Sequence, residues 1–179
     1  MKPLQPSSPH IIALVGAPGS GKSQFAQEFA GMFGAPLIDA SRFEELTDDT
    51  KKISEITLDL LDEFLKTKQT VILDGASDQR VTRMKLSRLA KERGYKLLLI
   101  WVQTDLATTK NRWMKQRGGD EAAFERRLKQ FSAPHSSESY IVISGRHTFS
   151  TQARAVLKKL SSPRPETQRL VTPNRIRIG

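Results

Sequence analysis

The chain has no cysteine, which excludes disulfides, thiolate metal sites and a cysteine nucleophile and leaves any metal to oxygen or histidine ligands. It has no apolar run near the about 20 residues that a spanning helix needs, so no membrane span is expected. Histidines number three, and none has ligand spacing to another: His10 enters an apolar run, His135 sits in APHSS and His147 in ISGRHTF. The opening MKPLQPSSPH contains three prolines, one lysine and no apolar stretch. That is not the layout of a secretory signal, and a cytoplasmic location is the expectation.

Acidic residues are scarce relative to basic ones. Twenty-nine Lys and Arg stand against 19 Asp and Glu in 179 residues, for a net charge of +10, which favours polyanionic partners such as nucleic acid or phosphorylated molecules. Half of this charge lies between Lys158 and Gly179, where six basic residues face one acid; that stretch reads either as a solubilising tail or as a nucleic-acid contact. The length suits one domain. Residues 1–9 and 161–179 carry Pro, Ser and charge with almost no apolar periodicity, so both read as flexible extensions around a domain at 10–160. RIRIG at the end is a candidate edge strand.

Within that domain, short apolar runs alternate with helical patterns. Ile11–Val15, Pro36–Ile38, Thr70–Leu73, Lys96–Val102 and Tyr140–Ile143 read as five strands of a buried parallel sheet. Lys22–Phe33, Lys51–Lys66, Gln79–Arg93, Thr104–Arg117, Glu121–Phe131 and Phe149–Leu160 have helical spacing. This alternation predicts an α/β three-layer sandwich with right-handed crossovers.

The first strand runs straight into GAPGSGKS, a full match to G-x-x-x-x-G-K-[ST], and a helix follows at once. Glycines at 16, 19 and 21 let backbone amides turn toward one point, where the helix beginning near Lys22 adds a partial positive charge. Gly16, Ala17, Pro18, Gly19, Ser20, Gly21, Lys22, Ser23 and Gln24 are therefore the expected nucleotide-binding residues. Lys22 would reach the β and γ phosphates of ATP, and Ser23 would bind Mg²⁺. The fold class becomes a P-loop NTPase sandwich. Neither Asn-Lys-x-Asp nor Thr-Lys-x-Asp occurs, so guanine specificity is not expected, and the chain is short for a motor ATPase or helicase.

The segment PLIDASRFEEL places Asp39 at the end of the second strand and Arg42 three residues later. Both fall at the sheet's carboxyl edge, where open α/β sheets bind ligands. Asp39 is a candidate general base for an acceptor hydroxyl, or else a helix N-cap for the pattern starting near Ser41. Arg42 would grip the acceptor or pair with Asp39. Asp74 closes TVIL and would hold a magnesium-bound water beside Ser23 or brace Arg42. Asp78 reads as the cap of the helix at Gln79, Arg80 and Arg83 as acceptor contacts or plain surface, Arg146 and His147 as an adenine contact, and Trp101 and Phe149 as core.

Through GAPGSGKS, the D-x-x-R of Asp39 and Arg42, the strand ending in Asp74 and the basic helix ending in Arg117-Gly118, the chain from Ile11 to about Phe131 resembles the polynucleotide 5′-kinase branch of P-loop kinases, including relatives grouped under general AAA-type domains. The resemblance implies that Asp39 is the base, that Arg42 binds the acceptor end, and that arginines of a small helical lid cover ATP. Arg112 and Arg117 are the lid candidates, and Arg117 is preferred because it shares a stripe with Leu106, Lys110 and Trp113. LDGASDQR partly matches the D-G-x-P-R of adenylate kinases, with Ser77 and Asp78 in place of the proline and arginine.

These observations lead to an expected ATP- and Mg²⁺-dependent transfer of the γ-phosphate to a hydroxyl, with a polynucleotide 5′ end as the favoured acceptor. The alternatives are a small-molecule kinase acting on a nucleoside, sugar or antibiotic, and an ATP-binding regulatory or RNA-binding module with little turnover.

Overall fold

A computed structural model of the protein describes residues 8–161 apart from 117 and 119. Most of the two expected extensions, the RIRIG segment and Arg117 lie outside the described residues. Five strands form where expected, to within about a residue: β1 (His10–Val15), β2 (Leu37–Asp39), β3 (Val71–Asp74), β4 (Lys96–Gln103) and β5 (Tyr140–Ser144). They pair in parallel in the order β2-β3-β1-β4-β5. The helices are α1 (Lys22–Phe33), α2 (Thr50–Leu65), α3 (Arg80–Arg93), α4 (Leu106–Gln116), α5 (Glu121–Gln130) and α6 (Phe149–Ser161), with a 3₁₀ segment at Ala40–Glu45.

All six residues of the central strand β1 are buried, which is why its apolar run shows no alternation: helices cover both faces. Right-handed crossovers then fix the layers. α1 carries the chain outward from β1 to β2, while α2 and α3 carry it back the other way, so α1 lies on one face and α2 with α3 on the opposite one. On the first face Ile12, Leu14, Ile100 and Val102 meet Phe25, Phe29 and Val156. Phe25, Phe29 and Phe33 recur every four residues and stack with ring centroids 5.1 and 4.9 Å apart, forming the buried stripe of α1. On the second face Ile11, Ala13, Val15 and Leu99 meet Leu61, Leu65, Leu86 and Ala90. Each such fully buried side chain contributes roughly 1.5–3 kcal/mol.

The consequence for function is the reversal of direction at β1. With β3 on one side and β4 on the other, the loops leaving β1, β3 and β4 diverge at the carboxyl edge and open a crevice there. Over this edge α4 and α5 form a hairpin, in the position expected for a small lid. Trp113 Nε1 donates to the Asp120 carbonyl at 2.8 Å, Arg127 lies over the Trp113 ring at 5.5 Å, and Lys110 pairs with Glu121. Arg127 also reaches Glu44 of the 3₁₀ segment at 2.7 Å, tying the hairpin to the far side of the crevice. Among the described residues no helix is long and apolar enough to cross a membrane.

Candidate active site

The phosphate loop links the carboxyl end of β1 to the first turn of α1, whose N-cap Gly21 is left-handed. Gly19 is also left-handed, at φ 76°, and a Cβ there would collide with the Thr109 carbonyl; glycine is what allows α4 to begin against the loop. Behind it, Thr104 Oγ1 donates to the Ser20 carbonyl at 3.0 Å. Lys22 is folded over the loop: its ammonium donates to the Gly16 carbonyl and to that of Ala17 at 3.1 Å.

Ser23, in the first turn of α1, hydrogen-bonds to the carboxylate of Asp74 at the end of β3. Asp74 is 6% exposed. Burial pushes its pKa up; the Ser23 hydrogen bond and the Lys22 charge pull against that, and the carboxylates of Asp39 and Asp78 add to the rise. The two residues proposed for magnesium thus interact, one hydroxyl and one carboxylate, which suits a hard cation taking oxygen ligands. No group of three or more His, Cys, Asp or Glu able to hold a metal occurs among the described residues. A Mg²⁺ ion held by this pair would complete its shell with water and phosphate oxygens.

Asp39 lies opposite Asp74 in the β2–β3 register. Its Oδ1 accepts from the Ser41 N–H at 3.0 Å and from the Ser41 hydroxyl at 2.7 Å, capping the 3₁₀ segment. The cap reading of this residue is realised, and Ser41 rather than Arg42 aims the carboxylate. Among the described residues no hydrogen bond engages Oδ2. Arg42 is exposed one turn further on.

Of the two lid candidates, Arg117 falls outside the described residues. Arg112 is the one the structure carries to the loop: it is half-buried, donates from Nη1 to the Gly145 carbonyl at 3.1 Å and passes beside Gly21. Of the stripe expected to carry Arg117, Lys110 and Trp113 pack on α5.

Two sequence expectations are overturned. Asp78 does not cap α3, whose N-cap is Gln79; the Arg80 N–H is satisfied from afar by the Ser132 hydroxyl at 2.8 Å. Asp78 instead faces the phosphate loop, with Oδ1 3.4 Å from the Gly16 nitrogen and 3.7 Å from Lys22 Nζ. Arg83 is neither a surface residue nor an acceptor contact, since its side chain is fully buried. Its guanidinium donates to both Glu138 oxygens at 2.8 and 3.1 Å and to the carbonyls of Ser77, Asp78, Ser132 and Ala133. Burial pushes the Glu138 carboxyl up, but hydrogen bonds from Arg83 and the His135 N–H with the Arg83 charge outweigh it and leave the group below its ordinary range.

Sequence reasoning missed Gly145, just past β5, where a Cβ would strike the Ser20 carbonyl and the Thr104 hydroxyl. The available signal was a glycine directly after an apolar strand at the carboxyl edge. It also placed Trp101 in the core, whereas that ring lines an open cavity of about 450 Å³ together with Ala17, Gln103, Asp105, Phe131 and Arg146. Arg146, proposed beside adenine, is exposed and lies 3.5 Å from Asp105 at this cavity.

A five-stranded parallel sheet with a glycine loop wrapping the first helix, a lysine over that loop and a serine–aspartate pair beneath it defines a P-loop NTPase fold. The chain belongs to the family described as AAA domain, whose model matches residues 11–137. In solved structures the same fold occurs in a gluconokinase from Sinorhizobium meliloti 1021, at 20% identity and TM-score 0.66, covering 85% of this chain and 91% of that one. A sugar kinase from Janibacter sp. HTCC2649 matches at 20% identity and TM-score 0.62, covering 84% and 93%. No curated protein sequence matches significantly.

Proposed function

We propose that this protein transfers the γ-phosphate of ATP to a hydroxyl of a small molecule. The observation that carries the reading is the meeting of Lys22 and the Ser23–Asp74 pair with the Asp39 carboxylate at one edge of the sheet. Phosphoryl transfer needs positioning and charge stabilisation more than covalent help, and these groups supply both. Lys22 binds the β and γ oxygens, and loop amides hold the rest of the chain of phosphates. Mg²⁺, held through Ser23 and Asp74, would offset charge on the β and γ phosphates. Asp39 orients the acceptor hydroxyl and takes its proton late in the transfer, Arg42 holds the acceptor from the rim, and Arg112 stabilises charge on the transferring group.

A small acceptor is favoured over a polynucleotide end for two reasons. The similar structures are described as a gluconokinase and a sugar kinase, and the Arg127–Glu44 pair ties the α4–α5 hairpin to the 3₁₀ segment that carries Arg42. Half of the basic charge that argued for nucleic acid is contained in residues 158–179, most of which lie outside the described residues.

The test is transfer of labelled γ-phosphate from Mg-ATP to a panel of sugars, sugar acids, nucleosides and amino alcohols beside 5′-hydroxyl oligonucleotides, with Lys22→Ala as the blank. Label on a small molecule supports the reading; label on the oligonucleotide alone replaces it, and label nowhere removes it. Asp39→Asn is expected to keep ATP binding and lose at least about a hundredfold in transfer. A fully active Asp39→Asn protein would show that another group takes the proton.

A further inference from the structure

Asp78 sits where a carboxylate is least expected, because both groups it faces are donors that a phosphate uses. Its Oδ1 lies 3.4 Å from the Gly16 nitrogen and 3.7 Å from Lys22 Nζ. Nor is the side chain free to move aside with its backbone. The Asp78 carbonyl accepts from the Ser132 N–H at 2.9 Å and from Arg83 at 3.3 Å, and the neighbouring Ser77 hydroxyl donates to the Leu14 carbonyl of β1. The buried guanidinium of Arg83 thus fixes the turn after β3 against the 132–138 segment, and Ser77 fixes it against β1. With 40% of its side chain exposed, Asp78 keeps its charge in contact with solvent and the crevice.

We propose that Asp78 is a positioning residue that competes with nucleotide phosphate for Lys22 and the Gly16 N–H, and so weakens nucleotide binding while keeping the lysine aimed across the mouth of the loop. A phosphate arriving at Lys22 meets a second anion on the same ammonium, and the two repel at short range. ATP and ADP are held less tightly than the loop alone would hold them, which favours release of product over accumulation of a dead-end complex. This rests on the reading of residues 16–23 as a phosphate site.

The experiment is equilibrium binding of ATP, ADP and inorganic tripolyphosphate with Mg²⁺ to the full chain, as wild type and as Asp78→Asn, Asp78→Ser and Asp78→Glu. The neutral variants are expected to bind all three ligands about five- to tenfold more tightly, with a lower KM for ATP, and the gain should shrink as salt is raised. Asp78→Glu should stay near wild type. In the Lys22→Ala background the same neutral substitutions should change affinity less than twofold, because the contested group is gone. Damage to the fold weakens binding, so tightening is a signature that a purely structural role does not produce. If the neutral variants bind no more tightly than wild type, or gain as much without Lys22, the inference is overturned while the phosphate site stands. If wild-type protein binds none of the three ligands, the phosphate site itself is refuted and the inference with it.

Discussion

The two halves of the crevice are built differently. On the nucleotide side the working groups are largely backbone: loop glycines, the first turn of α1, and carbonyls that receive Lys22, Thr104 and Arg112. On the proposed acceptor side they are side chains standing on separate elements, Asp39 at the end of β2 and Arg42 on the 3₁₀ segment, with Asp74 of β3 and Asp78 after it between the two sides. A site made of backbone is encoded in a short continuous stretch; one made of side chains exists only after the sheet is assembled. Acceptor identity can therefore change by substituting single residues, while the phosphate loop tolerates almost none.

The sharpest way to break this contrast is Lys22→Ala. It removes the side chain that the nucleotide side aims at the phosphates, and transfer is expected to fall about a thousandfold or more with folding unchanged. Single-turnover transfer of labelled phosphate, alongside thermal melting, measures both. Residual activity within tenfold of wild type would mean that the loop amides suffice and that the division between halves is drawn in the wrong place.

Next in size is Arg83→Ala, which attacks from beneath the turn that carries Asp78. It strands the Glu138 carboxylate and the carbonyls at 77, 78, 132 and 133. Glu138 is partly exposed and keeps its hydrogen bond from the His135 N–H, so the broken ion pair and stranded carbonyls together cost about 2–4 kcal/mol. Urea denaturation should show that loss, whereas exposed Arg80→Ala should stay within about 0.5 kcal/mol. Equal effects would deny Arg83 its role in shaping the turn that carries Asp78. On the nucleotide side, Arg112→Ala should lower kcat about tenfold to a hundredfold with little change in stability, since it gives up one hydrogen bond to Gly145 but a cation beside the loop.

What could be read in advance follows the same division. GAPGSGKS and the unbroken apolar runs specify the loop, the parallel sheet and its layers locally, through backbone geometry and burial on both faces. Arg83 and Asp78 could not be read in this way. Each follows a turn at the start of a helix, where capping or exposure is the ordinary fate of such residues. Their partners lie about 50 to 60 residues away in sequence, at Glu138 and at Gly16 with Lys22. The placement of Arg112 is long-range in the same way: periodicity identifies the stripe of α4 that packs on α5, but not the side that meets a loop about 90 residues earlier in the chain. Asp39 shows the intermediate case. Its cap to Ser41 was legible two residues away, and its alignment with Asp74 needed the sheet register.

The smallest expected effect joins the halves at Asp74, which touches Ser23 on one side and faces the charges of Asp39 and Asp78 on the other. Its carboxyl has a raised pKa, with burial the largest cause, so folding favours the protonated form. The stability this group contributes is full below the ordinary aspartate range and is lost as pH rises through the raised folded value. At neutral pH the ionised carboxylate therefore destabilises the nucleotide-free protein, and Asp74→Asn, which keeps an oxygen for the Ser23 hydroxyl, should raise Tm. A rise of about 2–4 °C is what roughly 1 kcal/mol produces in a chain of this size. The gap between the two proteins should close as pH falls below the ordinary aspartate range, and the more stable variant should lose its dependence on Mg²⁺ together with its transfer activity. A variant less stable than wild type at pH 7 would show that Asp74 serves the fold before it serves the ion.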